Sequence, residues 1–214
     1  MFSAILRVKV FLIVVILVFL AGGILVLTID QETLHIAITS WHPRWLDLFF
    51  KYGTEIGHGV TCVIVVVVVA ILYWRNFFPV FLIGVLSYAV SGLIVQFLKR
   101  FVFADVLRPV KIIGPDKLHV IEGVKLNEYF TFPSGHAATT MAMMTFLALL
   151  LKNKPVAQFI IAVIGLIGMY SRVYLSQHFL QDILAGAGIG ILITLMTYAI
   201  MSRYAFNRFF TEHL

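Results

Sequence analysis

The chain has 214 residues, 61% of them hydrophobic and only 12% charged, with a mean hydropathy of +1.02. A soluble chain runs at about 45–50% apolar and about 25% charged, so this one lacks the polar surface to cover a water-exposed globule and belongs in a membrane. Its formal charge of +6 raises nucleic acid as a partner, but no basic run is interleaved with aromatic residues, and that class is set aside. The single cysteine, Cys62, lies in an apolar run; it reads as a small buried residue and forms no intramolecular disulfide.

A helix that crosses a bilayer needs about 20 mostly apolar residues. Six runs of roughly that length are predicted, over residues 10–29, 56–74, 77–98, 134–151, 156–170 and 180–201. The β-branched stretch at residues 63–69 would suit a strand in water, yet an unpaired strand cannot satisfy its backbone in lipid, so it is assigned to helix. The first run follows Arg7 and Lys9 like a signal peptide. It is long for one and has no clear small-residue cleavage site, which favours a retained anchor.

Charge orients these spans. The N-terminus, the second and fourth connections and the tail hold Arg7, Lys9, Arg75, Lys152, Lys154, Arg203 and Arg208 against Glu212 alone, so that side carries the whole +6. The opposite connections balance. By the positive-inside rule both termini are cytoplasmic, and the first, third and fifth connections face outward. The fold class is therefore all-α: a polytopic six-helix membrane bundle, read as one domain over residues 1–214, with no repeat or linker.

The first outward connection, residues 30–55, mixes Trp41, Trp45, Phe49, Phe50 and Tyr52 with Arg44, Asp47 and Lys51. Aromatic rings favour the headgroup level, so the segment is read as interfacial, either a simple aromatic belt or a shaped access route for lipid. His35, His42, His119 and His213 are expected to be solvated, His58 to be a packing or interface residue near a helix start, and Asp47 and Glu55 to be solvated at the interface. Gly186 and Gly190 have small-xxx-small spacing, which suits close helix packing within the bundle.

The remaining polar residues gather on the outward side. The third connection opens with Lys99 and Arg100, passes Arg108-Pro109 and ends in Pro133-Ser134-Gly135-His136. The fifth supplies Ser171-Arg172, His178 and Asp182. Ser134 can cap a helix, whose free N–H groups at Gly135 and His136 favour an anion. Gly135 lets a ligand oxygen approach the backbone, and Arg108 and Arg172 add planar forks suited to phosphate. His178 and Asp182, spaced i, i+4, pair an imidazole with a carboxylate and leave one ring nitrogen as a nucleophile. His136 is then available as a general acid. A lone intramembrane histidine is more often structural than catalytic; the joint pattern carries the assignment. Ser171 is read as a supporting residue.

These residues resemble the type 2 phosphatidic acid phosphatase superfamily of membrane lipid phosphatases. Its second block, Pro-Ser-Gly-His, stands at residues 133–136. Its third, Ser-Arg, five residues, His, three residues, Asp, stands at Ser171, Arg172, His178 and Asp182 with the spacing intact. The first block departs: the family has Lys, six residues, then Arg-Pro, whereas eight residues separate Lys99 from Arg108 and seven separate Arg100. Either the helix end is looped or Arg100 takes the lysine's place.

The resemblance implies that His178 attacks phosphorus to form a phosphohistidine, Asp182 orients it, and His136 protonates the departing oxygen. Lys99 or Arg100, with Arg108, Ser134, Gly135 and Arg172, would hold the phosphoryl oxygens. No metal or other cofactor is implied, because fixed cations and N–H donors take the metal's part. The expected partners are a lipid phosphate and the surrounding membrane lipids, with no obligate protein partner. The expected setting is a bacterial inner membrane with the site outward. Undecaprenyl diphosphate is the preferred substrate, ahead of phosphatidylglycerophosphate, phosphatidic acid and the 1-phosphate of lipid A. The non-enzymatic alternative is an anionic-lipid transporter. Vanadium haloperoxidases share similar motifs, but their soluble setting fits this composition poorly.

Overall fold

In hydrocarbon every backbone N–H and C=O needs an internal partner, which a helix supplies and an isolated strand does not. The β-branched run at residues 63–69 is accordingly helical, and no strand occurs among the described residues. The computed structural model describes residues 2–204; Arg208, Glu212 and His213 lie outside them.

A short α1 (Phe2–Arg7) leads into α2 (Lys9–Thr28). Two short helices follow, α3 (Gln31–Thr39) and α4 (Arg44–Gly53), then α5 (Gly59–Leu72), α6 (Phe77–Phe97) and the brief α7 (Pro109–Ile113). The chain closes with α8 (Gly135–Leu150), α9 (Pro155–Tyr174) and α10 (Leu180–Tyr204).

All six predicted apolar runs are helical, but they differ in reach. Four helices are long and apolar enough to cross a membrane: Lys9–Thr28, Trp74–Val102, Pro155–Tyr174 and Leu180–Ser202. The second run is shorter than expected because a 3-10 turn at Thr54–Gly57 breaks it, and α4 and α5 meet at 58° across that break as one bent pair. The fourth, α8, has 16 residues, about 24 Å at 1.5 Å per residue. Ser134 caps it as expected, and packing rather than lipid surrounds it.

That packing centres on α8. Ala137, Ala138, Met141, Ala142, Met143, Phe146, Ala148 and Leu149 are all buried, against α5, α6, α9 and α10. The closest approach is to α10, where a Cβ on Gly186 would strike the Ser134 carbonyl and one on Gly190 the Ala138 carbonyl. The small-residue spacing serves packing inside the bundle. By contrast α2 buries only Phe11, Val15 and Gly22 and turns Ile13, Ile16, Leu17, Leu20, Ile24 and Leu27 outward, as a lipid-facing helix must. Gln158 secures the break between α1 and α2: its Oε1 accepts from Val10 N at 3.2 Å and its Nε2 donates to Arg7 O at 2.6 Å.

The aromatic connection folds as α3 and α4. Asp30 Oδ1 caps α3, accepting from the N–H groups of Glu32 at 3.0 Å and Thr33 at 3.1 Å. Helix α4 is amphipathic: Trp45, Leu48, Phe49 and Tyr52 are exposed, while Phe50 is buried against the rings of Tyr170 and Tyr174. Asp47 and His119, expected in solvent, are instead engaged. Asp47 Oδ1 accepts from Tyr174 Oη at 2.6 Å and lies 2.9 Å from His119 Nε2, whose ring stacks on His42. His35 also departs from expectation and is 1% exposed. Of the two expectations for His58, packing is not met: it is exposed beside Glu55, 3.9 Å away.

Because the Gly186 site faces a backbone carbonyl that cannot rotate aside, Gly186→Ala should destabilise the protein by about 1–3 kcal/mol. Thermal unfolding in detergent, compared with Gly23→Ala where a Cβ meets nothing within 4 Å, checks this. Equal midpoints would refute it.

Candidate active site

Four helix ends meet on one side of the bundle. Helix α6 finishes in a π-turn, Leu98–Val102, whose wider backbone absorbs extra sequence between Lys99 and Arg108. The turn separates the two candidates for the first-block cation: Lys99 is buried at 8% exposure, while Arg100 is exposed. Arg108 precedes α7 and is also buried. Its Nε donates to Tyr129 O at 2.8 Å, and Nη1 to Gln177 O at 2.9 Å and Gln177 Oε1 at 3.2 Å. Burial pulls the pKa of this guanidinium down, and the Asp182 charge opposes that pull. Lys99 and Arg108 line a cleft of about 690 Å³ with Gln96, Arg100, Asn127 and Tyr129.

Ser134 is fully buried. Its Oγ accepts from Ala137 N at 3.3 Å, and its own N–H donates to Asp182 O at 2.9 Å, which ties the start of α8 to the start of α10. The N–H groups of Gly135 and His136 have no partner among the described residues. A Cβ on Gly135 would meet only Val95 Cγ1, at an ordinary 3.6 Å, so protein packing does not require glycine there.

Asp182 is 0% exposed. Its Oδ2 accepts from the Thr131 hydroxyl and, at 2.9 Å, from Phe179 N, and lies 3.3 Å from His178 Nδ1; its Oδ1 is buried without a partner. Thr131 Oγ1, having donated to Asp182, faces His178 Nδ1 at 3.1 Å as an acceptor. Both neighbours of Nδ1 are therefore oxygens. We assign the ring proton to Nδ1 on that ground, which leaves Nε2 as a lone pair. Burial first, then the charges of Arg108, Lys99 and Arg172, hold the His178 pKa well below the ordinary 6.5, so the ring is neutral at pH 7.

His136 lies within electrostatic reach of His178 and Arg172, and its Nε2 is 3.4 Å from Thr54 Oγ1. The same Thr54 oxygen accepts from Arg172 Nη1 at 3.1 Å and from Ser171 Oγ at 3.1 Å. Arg172 Nε is buried and unpartnered. Gly57 makes room for this group, since a Cβ there would strike Thr140 Oγ1 and the His136 ring. Eight of the nine residues singled out in the sequence thus converge, and Arg100 alone stands on the rim. Ser171, left as a supporting residue, has that part. Among the described residues no group of three or more His, Cys, Asp or Glu is arranged to hold a metal ion.

The model of the PAP2 superfamily matches residues 80–205, more than half of the chain and every motif block. The chain belongs to the PAP2 superfamily. Two crystal structures share its fold. Aquifex aeolicus LpxE superposes with a TM-score of 0.65 at 24% identity, covering 79% of this chain and 94% of that one. A transmembrane PAP2-type phosphatidylglycerolphosphate phosphatase from Bacillus subtilis gives 0.61 at 22% identity, covering 89% and 95%. A lipid A 4'-phosphatase from Porphyromonas gingivalis is 28% identical over 85 residues, 40% of this chain and 35% of that protein. The chain therefore aligns with about a third of that curated relative.

Around the PAP2 motifs stand residues that the sequence did not single out. Thr131 bridges Asp182 and His178, Thr54 gathers His136, Ser171 and Arg172, and Gln177 holds Arg108. Thr131 adjoins the Pro-Ser-Gly-His block and Gln177 adjoins His178, so proximity to a motif was an available signal. Thr54 lies in a connection 82 residues from His136, and nothing local marks it.

Thr131→Val keeps the shape but removes the hydroxyl, leaving buried Asp182 Oδ2 and His178 Nδ1 each short of a partner. Loss of about 1–3 kcal/mol is expected, with Thr131→Ser close to the parent. Unfolding midpoints of the two variants in the same detergent check this, and a Val variant as stable as the Ser variant would refute it.

Proposed function

We propose that this chain is an integral-membrane lipid phosphatase, hydrolysing a phosphate on a lipid headgroup at one face of the bilayer. The observation that carries this reading is a buried imidazole whose Nδ1 lies between the Thr131 hydroxyl and the Asp182 carboxylate, within reach of the charges of Lys99, Arg108 and Arg172. PAP2 membership supports lipid phosphatase activity, as do the names of the relatives. A transport role would use the cations but leave the His178–Asp182 pairing idle.

In this reading Lys99, Arg108, Arg172 and the N–H groups of Gly135 and His136 hold the phosphoryl oxygens, with Ser134 fixing the start of α8. The unpartnered Arg172 Nε is a donor that an anion satisfies. His178 Nε2 bonds to phosphorus as the ester P–O bond breaks, and His136 gives its proton to the departing oxygen. Water, losing a proton to His136, then attacks phosphorus and breaks the P–N bond, releasing phosphate and restoring both rings. Cations fixed in a poorly hydrated site stabilise the charge on the equatorial oxygens.

All six apolar helices cross the membrane in this proposal, α5 with its bent entrance and α8 inside the bundle. The positive excess at one end makes both termini cytoplasmic and the site outward-facing. The named relatives favour a phosphate on lipid A or phosphatidylglycerophosphate over undecaprenyl diphosphate. Phosphate release from these three lipids and phosphatidic acid in matched micelles, with EDTA present, tests the reading. One or more should turn over, and His178→Ala should lower the rate roughly a thousandfold or more. Full activity in that variant would remove the nucleophile.

The pH profile supplies a second check. A His178 pKa held below 6.5 keeps the nucleophile unprotonated as pH falls through neutrality. The acid limb of kcat/KM should therefore lie below pH 6.5, measured from about pH 4 to 8. An acid limb at or above the pKa of a free imidazole would contradict the environment described for His178.

A further inference from the structure

The proposed reaction leaves one buried histidine unused. His35 stands on α3, 1% exposed, in a helix whose other buried residues are Leu34 and Thr39. Its Nε2 lies 3.2 Å from Ser176 Oγ, and its ring meets the Phe179 ring edge-on, centroids 5.4 Å apart at 74°. Its Nδ1 is buried without a hydrogen-bond partner among the described residues. Burying an imidazole with one nitrogen unpartnered costs more than burying an apolar side chain of that size. Something other than the packing of α3 is needed to account for it.

Both contacts of the ring fall on the segment that carries His178. Ser176 has φ +51°, the left-handed region that residues with a Cβ seldom adopt. Gln177 and His178 both donate their N–H to Arg172 O, at 2.9 and 3.1 Å. Phe179, next in sequence to His178, donates its N–H to Asp182 and packs with Ile113 and Leu118. The segment is thus tied to α9 and α10 by its backbone, to Arg108, Lys125 and Thr131 through Gln177 and His178, and to α3 through His35, which meets the residues two before and one after His178.

We propose that His35 is a positioning residue for His178, holding the Ser176–Phe179 backbone so that Nε2 stays aimed at the phosphate cradle. It acts through Ser176 and Phe179 and touches no substrate. This rests on the phosphatase reading above, with His178 as nucleophile. A nucleophile displaced by about 1 Å can lose roughly a hundredfold in rate, so a partial loosening is expected to show in kcat.

The test uses the full-length protein in detergent with whichever lipid phosphate it turns over. His35→Leu keeps volume and removes the hydrogen bond, Ser176→Ala removes one hydroxyl, and His35→Gln restores an amide toward Ser176. Both His35→Leu and Ser176→Ala should lower kcat about tenfold, with KM within about twofold and unfolding midpoints near the parent. The double variant should fall no further than His35→Leu, which already removes the Ser176 contact. His35→Gln should recover most of the rate. Parental kcat in Ser176→Ala and His35→Leu, additive losses, or a kcat loss that follows the midpoint and is not recovered by Gln would overturn the proposal. If His35→Leu does not fold, Ser176→Ala alone decides. Active parent and inactive His178→Ala with unaffected Ser176→Ala would overturn only the role of His35; a parent that releases no phosphate from any lipid overturns the phosphatase reading as well.

Discussion

A carboxylate in a fully buried place holds this end of the molecule together. Asp182 opens α10, takes the Thr131 hydroxyl and Phe179 N–H on one oxygen beside His178 Nδ1, and offers its backbone carbonyl to Ser134 N. Through these contacts it joins the connection before α8, the His178 segment and the cap of α8. Such a group is costly to bury unless hydrogen-bonded and balanced by charge. Lys99 and Arg108 supply that balance: their charges reach both Asp182 and His178. The close approach of α8 to α10 follows from the same requirement. Glycine at 186 lets the Ser134 carbonyl lie against α10, within reach of the turn that Asp182 begins.

The balance is incomplete by design of charge. Lys99 and Arg108 feel the Asp182 charge and Arg172 that of the exposed Glu55, so positive charge is in excess around His178. Arg172 Nε has no acceptor, and Arg108 spends its other donors on backbone and Gln177. Gathering cations around an open nucleophile costs stability in the empty protein, and a bound phosphate dianion relieves it. On the phosphatase reading, that relief is greatest when charge spreads over the equatorial oxygens in the transition state, which is where stabilisation accelerates the reaction.

Much of this was legible in the sequence because membrane depth makes polar residues expensive and therefore conspicuous. The six apolar runs each became a helix, and the Pro-Ser-Gly-His and Ser-Arg-His-Asp blocks came together at one end as their order along the spans requires. What escaped notice was what periodicity does not encode. At the break over Thr54–Gly57, Gly57 makes room for the His136 ring, a contact with a residue far along the chain. The choice between Lys99 and Arg100 depended on a π-turn, which shifts a side chain around the helix without changing hydropathy. Thr131 and Thr54 matter through hydroxyls on loops, and a threonine in a loop has no distinguishing pattern. His35, Asp47 and His119 lie in connections, where composition points to solvent, yet those connections fold back on the bundle.

The connections on the site's side of the bundle pack against one another. The segment bearing α3 and α4 and the long connection before α8 are laced together. His119 pairs with Asp47, Lys51 Nζ donates to Glu122 O at 2.7 Å, and Gln177 Nε2 donates to Lys125 O at 2.8 Å. Tyr174, two residues beyond Arg172, anchors Asp47 to the end of α9. The exposed rings of Trp41, Trp45, Phe49 and Tyr52 then project from a frame braced against the site. Amphipathic rings settle at the headgroup level, so on the phosphatase reading a braced aromatic helix sets the depth at which Lys99, Arg108 and Arg172 meet a lipid headgroup. For a lipid phosphate, reach is a matter of depth before chemistry: the tails fix the height of the headgroup, and the catalytic end must come to it.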